Sequence, residues 1–404
     1  MNRRNFLTYA AAAGITTGLS NALPLAGKGL SGLNTYLDDS GELSYHTFES
    51  IRFTPVKLNY PRLVGKNSHK GVHGLGPSVT FCTLTTKQGA SGIGTLRGSQ
   101  QKAEELFTQL KGKKLSEVFS LETGVVEQMQ IFDIPLHDLA GVVLNKPVYQ
   151  LLGKERALPA KCYSGMIYMD DVDIKDKQAG FDKILEECQY DYNYGYRQLK
   201  LKIGRGFKWM PPEEGLKRDV EITRLVHRYF PDVDILVDGN DGFTVKDFIR
   251  YLEQLEDVPV WWIEEPFRET VEDYTVLRKW LNENRKRTTL LADGETNSDL
   301  KLALEMGDKQ ILDVYIDDIM GYGFTNWRKM MPALKKHGLL GSPHSWGEYP
   351  KTIYTAHIAW GLGNVVTIEG VTCFSNDIDF GLYRLEKGFL FPSDAPGFGM
   401  TLLK

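Results

Sequence analysis

The chain has 404 residues, of which 42% are hydrophobic, and its formal net charge at pH 7 is only -4. This length and composition can bury a large core in more than one domain, and the even mixture of charge signs excludes a disordered polymer and a basic nucleic-acid-binding protein. We therefore expect a globular protein whose partner is a small molecule and not a nucleic acid.

The N-terminus departs from this even composition. A paired arginine, Arg3-Arg4, precedes an apolar run of small residues over residues 10–25. The pattern resembles a twin-arginine export signal, so we predict a signal peptide over residues 1–26 and a periplasmic or exported location in a bacterium. The alternative is a basic terminus without a targeting role. A stable membrane anchor is disfavoured because polar residues interrupt the run.

The cysteines are widely separated and show no Cys-x-x-Cys spacing. We therefore predict neither a zinc site nor an essential disulfide, although an exported protein would permit one. They are Cys82, Cys162, Cys188 and Cys373.

Residues 46–157 combine β-forming runs with helical patterns, which predicts an α+β domain that caps the rest of the chain, after a polar linker over residues 27–45. The predicted elements are strands at residues 47–53 and 78–86 and helices at residues 101–110 and 136–152.

A long segment without periodicity, residues 59–77, lies between the two predicted strands and is rich in Gly, Pro, His and Lys. Long loops of this kind often carry function, so we predict that basic side chains of this segment contact the substrate. They are His69 and Lys70, together with Arg62, Lys66 and His73. A solvated basic loop is the alternative.

From residue 158 onward, short β-rich runs alternate with amphipathic helices. Eight such units, each two or three dozen residues long, predict a (β/α)8 barrel, an α/β fold, over residues 158–375. Residues 376–404 are predicted to return to the capping domain. In such barrels the active site lies at the carboxyl ends of the strands.

Most of the predicted barrel strands end in a charged or polar residue. Asp238, Glu264 and Glu295 follow neighbouring strands, so their carboxylates can converge on one hard cation. Magnesium is the natural choice, because no cysteine or histidine lies on those strands to favour zinc or copper. A purely structural cluster is disfavoured because three carboxylates without a cation would repel each other.

Two candidate bases flank these carboxylates. Lys200 and Lys202 alternate on one strand, which places both amines on the same side. Each ammonium disfavours the charge of the other, so Lys202 is predicted to act as a base near neutral pH. On the opposite flank, Asp317 is predicted to accept a hydrogen bond from one nitrogen of His344, which leaves the other nitrogen to accept a proton.

As a set, these motifs resemble the mandelate racemase subgroup of the enolase superfamily, from about residue 47 to the C-terminus. Any one of them alone would be weak evidence, whereas the set is specific. They are Lys200-Leu201-Lys202, Asp238-Gly239-Asn240, Glu264-Glu265-Pro266, Asp293-Gly294-Glu295, Asp317 followed by Gly321-Tyr322-Gly323, Ser342-Pro343-His344 and Glu369-Gly370.

The resemblance implies a role for each of these residues. It assigns the three carboxylates to one Mg²⁺ per subunit, and Lys202 and the His344–Asp317 pair to acid/base catalysis. It also implies that Glu369 donates a hydrogen bond to the substrate carboxylate. The immediate neighbours Glu265 and Asp293 are competing ligand candidates that strand alternation should turn away from the metal.

Four further residues are candidates for substrate contact. Asn240 follows a metal-ligand candidate by two positions, and Tyr163, Tyr168 and Trp346 lie where the barrel mouth is expected. Aromatic side chains at barrel ends are often only packing, and that alternative stays open.

The resemblance favours removal of an α-proton from a carboxylic acid through an enediolate, followed by dehydration of a sugar acid such as an aldonate or aldarate. Racemisation or epimerisation, and cycloisomerisation of a sugar acid or lactone, are the alternatives. A more remote alternative is a periplasmic sugar-acid-binding protein without catalysis, which would not need Lys202 or His344. We also expect a homo-oligomer.

Overall fold

The structure, a computed structural model, describes residues 39–285 and 289–403. The predicted signal peptide, residues 1–26, and most of the predicted linker lie outside these residues. Within the described ranges, every helix is too short or too polar to cross a membrane.

A helix, α1 (Asp39–Tyr45), occupies the end of the predicted linker. Acidic side chains in its first turn stabilise the helix by interacting with the positive end of the helix dipole, and Leu43 is buried. The Nζ atom of Lys146 lies 2.6 Å from Asp39 Oδ2. One buried leucine and a contact with a distant residue of the same chain therefore hold the end of the predicted linker in a helix.

The N-terminal part of the fold is a three-stranded antiparallel sheet with helices packed on it. Strand β1 (Phe48–Lys57) pairs with β2 (Ser78–Thr86), which pairs with β3 (Ser91–Thr95). Helix α2 (Gln100–Leu110) follows, and its N-terminus is capped by the Ser99 hydroxyl. After it come two 3₁₀ helices (Leu115–Glu117 and Glu127–Phe132), strands β4 (Phe119–Ser120) and β5 (Gly124–Val125), and helices α3 (Asp133–Val143) and α4 (Val148–Leu151).

Helix α3 packs directly on β3 at a glycine. A Cβ atom at Gly92 would lie 2.3 Å from the backbone nitrogen of Leu139, so only glycine permits this approach. The continuous helix predicted over residues 136–152 is broken between α3 and α4. Asn145 has φ 51° and Pro147 lacks the backbone N–H that an uninterrupted helix needs.

Eight parallel strands follow in the described part of the chain, and the first seven, β6 to β12, pair in sequence order. The last strand pairs with the first, and a parallel bridge joins Gly341 to Val365, just before the last strand. The strands are β6 (Ala160–Ile167), β7 (Gln198–Lys202), β8 (Asp234–Asp238), β9 (Val260–Glu264), β10 (Leu290–Asp293), β11 (Val314–Tyr315), β12 (Leu340–Gly341) and β13 (Ile368–Gly370).

Helices occupy the connections between these strands. On α7 the side chains of Leu216, Val220, Thr223 and Val226 are buried along one face, as expected for a helix that covers a sheet. The helices are α5 (Lys177–Tyr194), α6 (Arg205–Lys208), α7 (Pro212–Tyr229), α8 (Val245–Leu255), α9 (Val271–Asn284), α10 (Leu300–Asp308), α11 (Ile319–Tyr322), α12 (Phe324–Lys336) and α13 (Tyr349–Leu362).

The parallel strands bury side chains on both faces, as parallel sheets do. One face packs against the helices and belongs to the main core. The other face forms a separate apolar cluster in which Trp262 is completely buried, and this cluster supports the site at the carboxyl ends of the strands. Its members are Tyr163, Leu236, Trp262, Ala292, Val314 and Ile316.

The last described residues contact both earlier parts of the chain. Strands β14 (Ile378–Asp379) and β17 (Thr401–Leu402) pair with each other, and β15 (Arg384–Glu386) pairs with β16 (Phe389–Phe391), which pairs with β6. The N–H of Phe398 donates to Asp138 Oδ1 on α3 at 2.6 Å. The exact domain boundaries stay a prediction.

A buried histidine on α13 joins this C-terminal segment to α4. The N–H of Tyr149 donates to His357 Nδ1 at 3.0 Å, so Nε2 carries the hydrogen and lies 2.7 Å from the Tyr383 hydroxyl. Burial lowers the pKa of His357 to about 3. The imidazole is therefore neutral in the folded protein.

This histidine should make the protein sensitive to acid. Its folded pKa lies below the ordinary value of 6.5, so its contribution to stability is complete above pH 6.5 and is lost as pH falls toward 3. The slope is about 1.4 kcal/mol per pH unit. Urea unfolding across this range should show a flatter pH dependence for His357→Gln than for wild type. The exposed His69→Gln is the control, and equal slopes for wild type and His357→Gln would contradict the prediction.

Candidate active site

The predicted site residues gather at the carboxyl ends of the parallel strands. Lys200 and Lys202 lie on β7, Asp238 ends β8 and Glu264 ends β9. Glu369 is the central residue of β13. All five side chains are buried, which confines several charges to a small volume of low dielectric.

The Lys200 ammonium is the centre of this charge cluster. Its Nζ atom lies 2.5 Å from Glu264 Oε1, 2.9 Å from Glu369 Oε1 and 3.3 Å from Asp238 Oδ2. Burial opposes the charge, but these carboxylates raise the pKa of Lys200 well above its ordinary value. The expectation that the two lysines weaken each other's charge is therefore wrong for Lys200, because three carboxylates outweigh one neighbouring ammonium.

Lys202 points to the same side as Lys200, as strand alternation predicts. Its ammonium pairs with Asp238 Oδ2 and donates to Asn240 Oδ1 at 3.0 Å. The ring of Tyr168 lies 5.4 Å from its Nζ atom, in cation–π contact. Lys202 is therefore held on the side of the site that β7 and β8 form.

The backbone turns sharply where β8 and β9 end. Asn240 has φ 43° and Glu265 has φ 38°, a left-handed conformation that costs energy for residues other than glycine. The turn lets the N–H of Asn240 donate to Asp238 Oδ1 at 3.0 Å. The Trp262 indole donates to Glu264 Oε2 at 2.9 Å. Both carboxylates are thus oriented by hydrogen bonds from their own strand ends.

The histidine pair differs from the prediction in one residue. His344 Nδ1 lies 3.1 Å from Asp318 Oδ2, so Asp318 and not Asp317 accepts its hydrogen bond. Asp317 instead accepts from the hydroxyl groups of Ser298 at 2.7 Å and Tyr315 at 3.2 Å. The assignment of Asp317 to the pair was wrong.

The backbone explains this difference. Strand β11 ends at Tyr315, and Asp318 is the N-cap residue of α11, where its Oδ1 atom accepts from the N–H groups of Met320 and Gly321. A parallel bridge then joins Asp318 to His344. Adjacent side chains in extended backbone point in opposite directions, so Asp317 faces away from the imidazole.

The other nitrogen of His344 faces the centre of the site. Its Nε2 atom lies 3.2 Å from Glu295 Oε2 and 3.7 Å from Glu369 Oε2. Burial disfavours the charged imidazole, but Glu295, Glu369 and Asp318 outweigh it and raise the pKa of His344 to about 9. His344 is therefore protonated near neutral pH in the metal-free protein.

Glu369 is ionised in this arrangement. Burial would raise its pKa, but Lys200, His344 and the backbone N–H of Ser345 lower it to about 2. The N–H of Ser345 donates to Glu369 Oε2 at 2.7 Å. Glu369 therefore accepts hydrogen bonds here, from Lys200 and from the Ser345 N–H. Its predicted hydrogen bond to a substrate carboxylate stays a prediction.

The two competing carboxylates lie beside the site without joining the charge cluster. Glu265 accepts from the N–H of Thr296 at 2.7 Å, and burial together with Glu295 and Asp238 raises the pKa of Glu265 to about 8. Asp293 is hydrogen-bonded by the hydroxyl of Tyr274 on α9, so it faces the helix layer.

An aromatic wall borders the site on the side of Lys202. The ring centroid of Tyr168 lies 4.8 Å from that of Trp346 and 4.7 Å from that of His73. Tyr163 lies deeper, with its ring 5.2 Å from Lys200 Nζ. Of the predicted aromatic contacts, Tyr168 and Trp346 therefore form the wall, whereas Tyr163 is part of the buried cluster below it.

The predicted loop residues differ in where their side chains lie. His69 and Lys70 are exposed, and the His69 ring packs against Phe207, with centroids 4.5 Å apart. Both therefore lie outside the charge cluster and the aromatic wall. His73 reaches the wall instead, because its Nδ1 atom lies 2.7 Å from the carbonyl of Gly65 across the loop. Loop composition indicated a functional segment, but it carried no signal for which side chain turns inward.

Comparison with known proteins identifies the family. Residues 183–404, more than half of the chain, match the family described as Enolase C-terminal domain-like. The chain belongs to the enolase superfamily. Family membership makes it an enzyme of the lyase or isomerase kind.

Two solved structures illustrate the similarity. Galacturonate dehydratase from Geobacillus sp., solved with D-galacturonate and 5-keto-4-deoxy-D-galacturonate, is 30% identical, with a TM-score of 0.82 over 89% of this chain and 95% of that chain. A mandelate racemase/muconate lactonizing protein from Geobacillus sp. Y412MC10, solved with magnesium and tartrate, is also 30% identical, with a TM-score of 0.82 over 91% and 95%.

A curated relative has a related activity. Arabinonate dehydratase of Saccharolobus solfataricus is 26% identical over 276 residues, which cover 67% of this chain and 68% of that protein.

The donor chemistry of this enolase-superfamily site fits a hard divalent cation. Among the described residues, no three His, Cys, Asp or Glu side chains are grouped so that they could hold a metal ion as they stand. Asp238 and Glu264 share the Lys200 ammonium, whereas Glu295 turns toward His344. However, Glu295 Oε2 is buried and accepts no hydrogen bond from the described residues. A buried carboxylate oxygen without a hydrogen bond is unusual and is free to bind a metal ion. Together with Asp238 and Glu264, which only lysines neutralise, it supplies the oxygen ligands that a hard cation prefers.

The corrected histidine pair can be tested without substrate. In metal-free protein, Asp318→Asn should lower the pKa of His344 from about 9 toward its ordinary 6.5, whereas Asp317→Asn should leave it nearly unchanged. An NMR titration of the imidazole measures this.

Protein stability provides a second measurement. Because the folded pKa of His344 exceeds the unfolded value, the charged imidazole stabilises the protein fully below pH 6.5, and this contribution is lost as pH rises through about 9. Asp318→Asn should therefore cost more stability at pH 6 than at pH 10. A larger effect of Asp317→Asn in either measurement would restore the original assignment.

Proposed function

We propose that this enolase-superfamily protein is a Mg²⁺-dependent lyase that dehydrates a sugar acid. The observation that carries the proposal is the placement of two proton-transfer groups, Lys202 and His344, on different sides of one buried carboxylate cluster. Similarity to a galacturonate dehydratase over nearly the whole chain supports the same reaction class.

The favoured substrate is a hexuronate of the galacturonate type. In galacturonate, the carbon next to the carboxylate is C5, and C4 carries the hydroxyl that is β to the carboxylate. Loss of the C5 proton and of that hydroxyl leads to a 5-keto-4-deoxy acid, the compound that accompanies the Geobacillus enzyme. Aldonates such as arabinonate are the next candidates, because a curated relative is an arabinonate dehydratase.

Asp238, Glu264 and Glu295 are the proposed ligands of one Mg²⁺. When bound, the ion would stabilise the negative charge that develops on the substrate carboxylate as the α-proton leaves. A structure in this family with magnesium and tartrate supports the choice of metal.

His344 and Lys202 are the proposed acid/base residues. His344 Nε2 faces the centre of the site, so it is placed to donate a proton to the departing hydroxyl, which leaves as water. Lys202 is suited to take the C5 proton once its amine is neutral. The resulting enol takes a proton at C4 from solvent, so the reaction loses one water molecule overall.

Three further statements stay proposals. We infer that β6–β13 close into an eight-stranded barrel, supported by the bridge from Gly341 to Val365 and by the family. Export through the twin-arginine motif at Arg3-Arg4, within the predicted signal peptide, is proposed from the sequence alone. A homo-oligomer is proposed as well.

Metal binding should depend on the proposed ligands. Asp238→Asn and Glu264→Gln should each weaken Mg²⁺ binding by at least about 10- to 100-fold, because even groups that only support a ligand have effects of that size. Isothermal titration calorimetry with MgCl₂ measures this. Asp293→Asn is the matched control, since that neighbouring carboxylate faces Tyr274 and should leave the affinity unchanged.

The reaction can be followed by NMR with D-galacturonate and MgCl₂ in D₂O. We expect a 5-keto-4-deoxy product that carries deuterium at C4. His344→Asn and Lys202→Met should each lower the rate by about 10²–10⁴-fold, the usual contribution of an acid/base group. The surface variant His337→Asn should retain the wild-type rate.

Other results of this experiment have distinct meanings. Formation of the C5 epimer without keto acid would establish epimerisation, the alternative that two opposed bases also permit. Tight binding of D-galacturonate, D-arabinonate and D-xylonate without exchange of any α-proton would contradict the enzyme proposal and favour a binding protein.

A further inference from the structure

Lys351 is a largely buried cation that the proposed mechanism leaves without a role. It is the third residue of α13, and its side chain is only 16% exposed. Its Nζ atom lies 3.2 Å from Asp318 Oδ2 and 3.4 Å from the carbonyl oxygen of Trp346. Lysine is rarely buried without a partner, and these two contacts, with the attraction of the nearby Glu348 carboxylate, account for the position of the ammonium.

The Asp318 carboxylate is held by four donors. Its Oδ1 atom accepts from the N–H groups of Met320 at 2.8 Å and Gly321 at 2.7 Å. Its Oδ2 atom accepts from His344 Nδ1 at 3.1 Å and Lys351 Nζ at 3.2 Å. Rotation of the carboxylate would therefore break contacts at both oxygens. Lys351 supplies the only side-chain cation among these donors besides His344.

Lys351 acts on the site only through other residues. The His344 nitrogen that faces Glu295 and Glu369 is Nε2, whereas Lys351 lies behind the opposite nitrogen, beyond Asp318. We propose that Lys351 is a positioning residue that holds Asp318, and through it His344, in the orientation needed on one face of the substrate. This inference rests on the proposed function.

The same ammonium joins the histidine pair to the aromatic wall. Trp346, whose carbonyl oxygen accepts from Lys351, packs its ring against Tyr168 and lies two residues after His344. The short segment from His344 to Trp346 is therefore held at its start through Asp318 and at its end by Lys351 itself. Loss of the ammonium should therefore loosen the start of this segment, where His344 lies.

The opposite base is independent of this arrangement. The hydrogen bonds of the Lys202 ammonium go to Asp238 and Asn240, and neither residue contacts Lys351 in the described part of the chain. Tyr168 gives Lys202 only a weaker ring contact, and its ring stays packed on His73 as well as on Trp346. A positioning role therefore predicts a defect on the His344 face alone. A general structural role would weaken both faces.

The experiment compares α-proton exchange on the two faces. D-galacturonate and its C5 epimer present the C5 proton to opposite sides of the site, so each is incubated in D₂O with MgCl₂ and holoenzyme. His344→Asn first identifies the epimer that depends on the histidine. Lys351→Met, Lys351→Arg and the control Lys336→Met, an exposed lysine on α12, are then measured with both epimers.

Lys351→Met should slow exchange of the histidine-dependent epimer by about 10- to 100-fold, the scale of a small misplacement of a catalytic group. Exchange of the other epimer should stay within about twofold. Lys351→Arg should recover most of the lost rate because it restores a cation near Asp318. Equal losses on both faces, or no loss, would overturn the inference.

A second measurement needs no substrate. The Nδ1–H signal of His344, assigned as the imidazole N–H signal that is missing in His344→Asn, should be lost or shifted in Lys351→Met and kept in Lys351→Arg and Lys336→Met. An unchanged signal in Lys351→Met overturns the inference. If wild type exchanges neither epimer, the proposed function fails for this sugar, and the N–H signal still decides the role of Lys351.

Discussion

Buried negative charge at the carboxyl ends of the parallel strands is the constraint on which the rest of the site depends. Asp238, Glu264 and Glu369 are almost inaccessible to solvent, and charges in such a place must be paired. In the metal-free protein Lys200 pairs with all three. A site built in this way attracts positive charge, which suits it to hold a divalent cation with oxygen ligands.

The same constraint separates the two proton-transfer groups. Lys202 is drawn to Asp238 at one side, and His344 is drawn to Glu295 and Glu369 at the other. Each group is then fixed by neighbouring side chains. The strained backbone at Asn240 orients Asp238 and Lys202, and the N-cap at Asp318 orients His344. The positions of Lys202 and His344 therefore follow from where the strands end and from the backbone conformation of the turns that come after them.

Much of the fold and site could be predicted from local patterns. The βα units, the placement of Lys200 beside Lys202 and the strand ends at Asp238 and Glu264 follow from hydrophobic runs and from alternation along a strand. Asp317 was misassigned because β11 is only two residues long, so alternation could not be counted from the strand. His73, which faces the aromatic wall, could not be told from His69 and Lys70 by sequence, because an irregular loop has no periodicity to show which side chain faces inward.

The sequence by itself determined the family, the order of the strands and the inventory of charged groups, because these depend on residue types and on spacing over a few residues. Only the tertiary structure decided which charges meet. The choice of Asp318 over Asp317 depends on a bridge to His344, 26 positions away in the chain. The inward position of His73 depends on a contact across its own loop. Contacts of this kind join residues that are distant in the sequence, so local patterns cannot predict them. The free energy that stabilises them comes from burial, which exists only once the whole fold has assembled.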